Sequence, residues 1–363
     1  MKHAASSARV SGSRQDGFSV IELMVAMVIS LLLLGGVVTI FISSKGTYER
    51  VERLSRTQES GRFALDAIVR DIRSAGYMGC SRPSTWANTL TGATTTLAWN
   101  FADAILGYEF ASGTTWSPAR PSGLTSIATG AVNGSDILVL RVPTPAASSA
   151  TLRLTDKMAS GTSTMTIAAV PSGATAPLKL NDVVMLADCH ARAVFQITGY
   201  NSATGVIDHA LGVAVEVPPT LNPGNAATDL GHAFESNSQI VPVRTVAYYV
   251  GTAAGRTGLW RVAGGGAPEE LVEGVERMEL RFGVDTNNDR IADDYVTADL
   301  VGGANWGNVI SVSVALLVRS PDQYGTERDA NTYTLLDKTF TAPSDRYVRQ
   351  VFVSTATLRN RAL

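Results

Sequence analysis

Cysteine and histidine are scarce in this chain of 363 residues, with two of the first and four of the second. Two cysteines cannot build a disulfide scaffold or a zinc cluster. Four histidines leave few general bases or imidazole ligands. Charged residues make up only 17% of the chain and nearly balance, at a formal −2. No basic field of the kind that draws nucleic acid is evident, so no direct nucleic-acid contact is expected. Proline is absent until Pro83, so nothing before it forbids a long unbroken helix. A serine-nucleophile elbow, a phosphate loop and a paired-histidine metal motif are all missing. Cys189 and His190 are sequence neighbours; on a strand they would point to opposite faces, a poor nucleophile–base pair. The chain reads as a non-enzyme.

What is present begins at the N-terminus. Residues 1–17 are polar, with Lys2, Arg9 and Arg14 against Asp16. From Phe18 to Ile42 a single charge occurs, Glu22. As a helix, Leu23 to Ile42 would span about 30 Å, the hydrocarbon thickness of a bilayer. The basic leader is expected to stay in the cytoplasm while the rest crosses. The apolar run is too long for an ordinary secretory signal, and its small residue, Gly17, lies before it rather than after it. Cleavage after Gly17 would leave the membrane helix on the protein, with 27 basic and 31 acidic residues and a net charge of −4. Glu22 needs a reason, because a carboxylate at mid-bilayer costs about 2.5–3.5 kcal/mol. The new amino terminus at Phe18 of a neighbouring subunit would supply a compensating cation and set axial register.

Beyond the apolar run, Val51, Leu54, Gly61, Leu65, Ile68, Ile72 and Ala75 recur at threes and fours, with Gln58 on the same line. The opposite side carries Glu49, Arg50, Glu52, Arg53, Arg56, Arg62, Arg70 and Asp71. This is an amphipathic continuation of the same helix, packing one face on a head. Gly35, Gly36 and Gly46 are places where the helix can bend or where helices can pack closely. Gly76 and Gly79 supply its end. The expected organisation is a leader over 1–17, a transmembrane half-helix over 18–42, an amphipathic half over 43–80 and a β-rich head over 81–363.

In the head, residues 81–135 read as loops and short strands. Alternating runs follow at Ile137–Val142, Val183–Ala187, Val194–Ile197, Arg244–Val250, Met278–Val284, Ile310–Val318 and Val348–Val353. Period two predicts half-buried strands in an antiparallel sheet. Residues 211–238, with Pro218, Pro219 and Pro223, read as a long surface loop. The fold class is α+β. The five tryptophans are expected mainly as core or loop anchors rather than a sugar-stacking surface. Because the head is exported, Cys80 and Cys189 are expected to form one disulfide, the alternative being two buried thiols. No cofactor is implied with certainty; calcium is the candidate ligand. Asp285, Asn287 and Asp289 alternate as in the first half of an oxygen-rich calcium loop, with the Ile291 carbonyl and Asp293 or Asp294 to complete it. The alternative is a polar hairpin loop.

The stretch Gly17-Phe18-Ser19-Val20-Ile21-Glu22-Leu23-Met24 resembles the prepilin processing motif. That resemblance implies cleavage between Gly17 and Phe18, N-methylation of Phe18 by a prepilin peptidase, and the register role for Glu22. The segment from Gly61-Arg62-Phe63-Ala64-Leu65 to Arg70-Asp71-Ile72-Arg73-Ser74-Ala75-Gly76-Tyr77-Met78-Gly79-Cys80 resembles the PilW family of minor pilins. So do Asp188-Cys189, Gly274-Val275-Glu276 and Leu358-Arg359-Asn360-Arg361. The resemblance is strongest over 17–80 and weak over 81–135 and 200–240. It implies a type IV pilin-like fold: a long transmembrane and amphipathic helix packed on an antiparallel β-rich periplasmic head. It further implies a single-pass bacterial inner-membrane subunit that enters the pilus fibre and helps initiate assembly at or near the tip. Implied partners are other minor pilins, the major pilin, the assembly platform and a PilY-type tip adhesin. A pseudopilin of type II secretion shares the processing motif. A tip adhesin or DNA-uptake module is the alternative from another class.

Overall fold

A computed structural model describes residues 17–77, 85–119, 127, 130–144, 152–212, 222–302 and 305–361. Two compact units divide the chain, one ending at Glu52 and the other beginning at Arg53. One helix, α1 (Val20–Ser74), contributes residues to both and is unbroken through Gly35, Gly36 and Gly46. Its start is capped by Ser19, whose Oγ accepts the Ile21 N–H at 3.1 Å. In the first unit every residue from Phe18 to Ile42 is exposed, and the stretch is strongly apolar. By length and composition this stretch can cross a membrane.

The second unit strings its strands in chain order as β1 (Thr85–Asn88), β2 (Ile105–Ser112), β3 (Thr115–Ser117), β4 (Ile137–Pro143), β5 (Leu152–Arg153) and β6 (Met165–Thr166). Then come β7 (Val183–Ala187), β8 (Ala191–Gln196), β9 (Gly199–Asn201), β10 (Val206–Asp208), β11 (Gln239–Ala253), β12 (Arg256–Ala263) and β13 (Glu269–Glu273). Last are β14 (Val275–Val284), β15 (Asp294–Val296), a short helix α2 (Ala298–Val301), β16 (Val309–Arg319), β17 (Thr332–Leu335), β18 (Lys338–Thr341) and β19 (Arg349–Thr357). A ten-stranded sheet runs β1-β8-β7-β11-β4-β2-β3, with β5 and β12 also on β11 and β13 on β12. A four-stranded sheet runs β15-β14-β16-β19, and β17-β18 form a separate ribbon. The class is α+β.

Side-chain alternation explains how α1 joins the sheets. On β4, Leu138, Leu140 and Val142 face the core beneath α1, while Ile137 and Val139 join Trp99, Trp116 and Tyr249 on the other side. On β14 and β16, Met278, Leu280, Phe282, Val312, Val314 and Leu316 enter the same helix-facing core. Ala64, Leu65, Ile68, Val69, Ile72 and Ala75 close it from α1. Gly61 allows a close approach, since a Cβ there would lie 2.3 Å from the Phe352 ring of β19 and the ring would have to shift. Gly76 ends the helix at φ +70°, with Ala104 2.7 Å from where its Cβ would stand. The long strand β11 changes partner along its length. Residues 239–242 pair with β7 and residues 243–248 with β4, and Pro242 sits at the exchange, where a missing N–H does least harm.

Several expectations need correction. Val51 and Leu54 are exposed, so the packed face of α1 begins at Thr57 and Gly61. One pair, β1–β8, is parallel; no hairpin dictates its direction, because β1 reaches the free edge of β8 from far away in sequence. The β14 and β16 runs are buried on both faces, not half-buried. Their second face is covered by the β17–β18 ribbon through Leu335, Ala315 and Leu317. Within 211–238, Leu230 and Phe234 are fully buried, so the described part of that strand-free connection is also core. Three of the five tryptophans, Trp99, Trp116 and Trp306, are buried anchors.

Candidate functional site

The candidate processing and register residues lie together at the start of α1. Gly17 and Phe18 precede the helix in exposed chain without regular structure; Phe18 is 87% exposed, and nothing lies within 4 Å of where a Gly17 Cβ would be. Glu22 sits in the first helical turn, exposed among apolar neighbours. A carboxylate there faces the positive end of the helix dipole, which favours it at that turn and nowhere later in the apolar stretch. The arrangement offers an accessible small–aromatic junction and a carboxylate one turn beyond it.

The cysteines fall on two different footings. Cys189 is disulfide-bonded and exposed, in the turn between β7 and β8. That turn is held by Asp188, whose Oδ1 accepts the His190 and Ala191 N–H groups at 2.7 and 2.8 Å. Asp188 Oδ2 lies 3.0 Å from Nε2 of His232. Burial would raise the Asp188 carboxyl, but these hydrogen bonds and His232 hold it below the usual carboxylate range. Cys189 and His190 therefore occupy a turn, not a strand. Cys80 lies outside the described residues.

The candidate calcium residues form the loop of a hairpin, since Val284 pairs with Asp294 and Phe282 with Val296. Asp285 is buried, and its two oxygens accept the N–H groups of Asn288 (2.6 Å) and Arg290 (2.9 Å). Asn287 Oδ1 accepts from Asp289 N and Asp289 Oδ1 from Ile291 N, each at 2.8 Å. Asp293 Oδ2 takes both the N–H and the hydroxyl of Thr286 at 2.7 Å, which holds its carboxyl below the usual range. Asp294 Oδ1 accepts the Tyr295 N–H, and the Ile291 side chain is exposed. The sequence thus folds into nested turns that satisfy the carboxylates from the backbone, with Asn288 and Arg290 at positive φ.

Sequence reasoning missed the acidic cluster that does converge. Oxygens of Glu109 (β2), Asp136 (before β4) and Glu279 (β14) lie within 4.8 Å of one another, all buried. Arg281 and Lys338 already neutralise Glu109, at 3.4 and 3.1 Å, and Arg281 also pairs with Asp337 in the β17–β18 turn. Asp136 accepts N–H bonds from Phe110 and Leu280 at 2.9 Å each. Burial, then Glu279 and Glu109, push its carboxyl well above the ordinary range. Burial and Glu109 push Glu279 up to about 7. The three acids are up to 170 positions apart in sequence, so no local motif announces them. With two cations in contact, the cluster is a clasp that fixes the β17–β18 ribbon to the four-stranded sheet.

An exposed helix of membrane-crossing length that opens on a small–aromatic junction and continues into a β-rich head fits a membrane-anchored, pilin-type subunit. The prokaryotic N-terminal methylation motif matches residues 12–38, which contain Gly17, Phe18 and Glu22. The PilW family, type IV pilus-assembly protein W, matches residues 247–360, from β11 to the C-terminal turn. Together these matches support a type IV pilus minor pilin of the PilW family. The PilW match falls in the C-terminal third and does not include the 61–80 segment, on which the sequence resemblance is expected to be strongest. No curated protein and no solved structure matches the chain.

Proposed function

We propose that this pilin-type subunit acts as a minor pilin that helps initiate type IV pilus assembly, together with other minor pilins and at or near the fibre tip. The single observation that carries this reading is the pairing of the methylation motif at an accessible Gly17–Phe18 junction with the PilW match over the head. On this reading the inner membrane holds the apolar half of α1 up to Ile42, the head is periplasmic, and prepilin peptidase cuts after Gly17. The assembly platform, the major pilin and a PilY-type adhesin are the further partners. The role is structural, not catalytic. A pseudopilin of type II secretion is the second reading, favoured by the same N-terminal motif.

Glu22 is the register device in this proposal. Glu22→Ala removes a desolvated carboxylate, so membrane insertion holds or improves. The same change strips the neighbour's Phe18 amino terminus of its partner, so co-purification of other pilins from membranes falls. Secretion-system subunits co-purifying with the wild-type chain would favour the second reading. Calcium in the Asp285–Asp294 loop is a separate proposal carried by the sequence pattern alone. Binding would exchange the loop's internal hydrogen bonds for cation contacts, and calcium calorimetry with and without chelator tests it.

A further inference from the structure

Between the end of α1 and the C-terminal turn of the chain lies an open groove of about 510 Å³. Three arginines line it: Arg70 and Arg73 from α1, and Arg359. None of the three makes a hydrogen bond or ion pair among the described residues, and all are exposed. The second cationic wall is built, not incidental. Asn360 donates its side-chain amide to the Ser74 and Ala75 carbonyls at 3.3 and 3.1 Å, capping the helix end. Leu358 is fully buried, and buried Arg361 donates to the carbonyls of Trp306 and Val309. The backbone is thus pinned on both sides of Arg359, whose side chain is left facing the groove. In an acidic chain, three guanidinium groups around one cleft, without partners among the described residues, invert the local charge.

We propose that this groove binds an acidic peptide segment of a neighbouring pilin subunit, gripped by Arg70, Arg73 and Arg359. Guanidinium forks recognise carboxylates in two-point fashion, and Arg70 and Arg73, three residues apart, lie side by side on one helix face. The groove holds far more than one phosphate group. Asp66, four residues before Arg70, also lines the groove and would repel a dense anion, while a peptide can offer it an N–H. The groove lies well past the apolar segment in sequence, which disfavours a lipid headgroup as the occupant. Bound carboxylates are shielded from the α1 carbonyls, because Asn360 has taken the last of them.

That the segment belongs to a pilin rests on the proposed function; recognition of an acidic peptide does not. The test has two arms on the detergent-solubilised full chain. In the first, a labelled decapeptide of alternating Glu and Asp is titrated against the wild type and against Arg70→Glu/Arg73→Glu/Arg359→Glu. Arg359→Glu alone serves as the milder variant, since that exposed side chain holds nothing in the fold. The expected result is salt-sensitive binding that weakens at least tenfold in the triple variant and measurably in Arg359→Glu, with unchanged melting temperature in the latter. Equal binding by wild type and variants, or competition by inorganic phosphate or phosphatidylglycerol vesicles at matched charge, would overturn the proposal. In the second arm a photo-crosslinker replaces Ser74 in cells. A cross-link mapped to an acidic stretch of another pilin supports the assignment. A cross-link to any other protein, with peptide binding intact, leaves the groove's chemistry standing and removes the pilin as its partner.

Discussion

Tyr248 of β11, fully buried, donates its hydroxyl to Asp71 of α1 at 2.6 Å. Burial and the Asp71 charge raise the phenol far above its ordinary range, so it stays a donor at every accessible pH. The pair ties the last turns of the helix to the centre of the ten-stranded sheet. Tyr248→Phe keeps the ring but leaves the partly buried Asp71 without this donor. A loss of about 1–3 kcal/mol is expected in chemical unfolding of the head. No change would mean that solvent replaces the hydroxyl without cost.

Arg349 is the second fastening. Its side chain is fully buried and makes five hydrogen bonds, two to Glu276, two to Asp345 and one to Asp329. It pins the excursion between β16 and β19 to the start of β14. Arg349→Ala would leave three carboxylates with little access to water, at a cost of about 3–5 kcal/mol. Arg349→Lys restores little, because an ammonium cannot span the fork. Hydrogen exchange should rise first across 320–348. Exchange spread evenly over the head would contradict a local clamp.

The Glu109–Asp136–Glu279 clasp makes a pH signature. Glu279 is raised from about 4.5 to about 7, and Asp136 is raised as well. Over that interval the folded chain binds more protons than the unfolded one, so stability falls as pH rises. Asp293, Asp329 and Asp345 are depressed, and their contribution disappears as pH falls below about 4. Melting temperature should therefore decline between pH 4.5 and 7, and Glu279→Gln should flatten that decline. A wild-type curve that rises over this interval would contradict the burial of Glu279.

Cys189 is disulfide-bonded, and the sequence holds one other cysteine, Cys80. A bridge between them would close about 110 residues and contribute up to about 4.7 kcal/mol in the chain-entropy account. In unreduced, denatured protein neither thiol should alkylate, and reduction should lower the melting temperature. Two alkylated thiols would remove the bridge.

Much of this architecture was legible because it is periodic. The apolar run and the spacing from Gly61 to Ala75 mark α1, and alternation marks β4, β7, β11, β14, β16 and β19. The β17–β18 ribbon was not legible: its turn is Leu336-Asp337, with Leu336 at φ +55°, and it lacks the Gly or Asn that usually signals such a turn. Arg349 and Glu279 look like ordinary strand charges until distant partners meet them. At the N-terminus the position is reversed. Gly17, Phe18 and Glu22 are recognisable from local order alone, because the methylation motif lies in an exposed segment that needs no fold around it.

On the proposed function, pilin-type processing after Gly17 creates the mature chain. Intact-mass measurement of the protein purified from membranes tests it most directly. The expected species begins at Phe18 and is heavier by one methyl group, and a bulky residue in place of Gly17 should block the cut. A stable chain beginning at Met1, in a cell that contains prepilin peptidase, would contradict it.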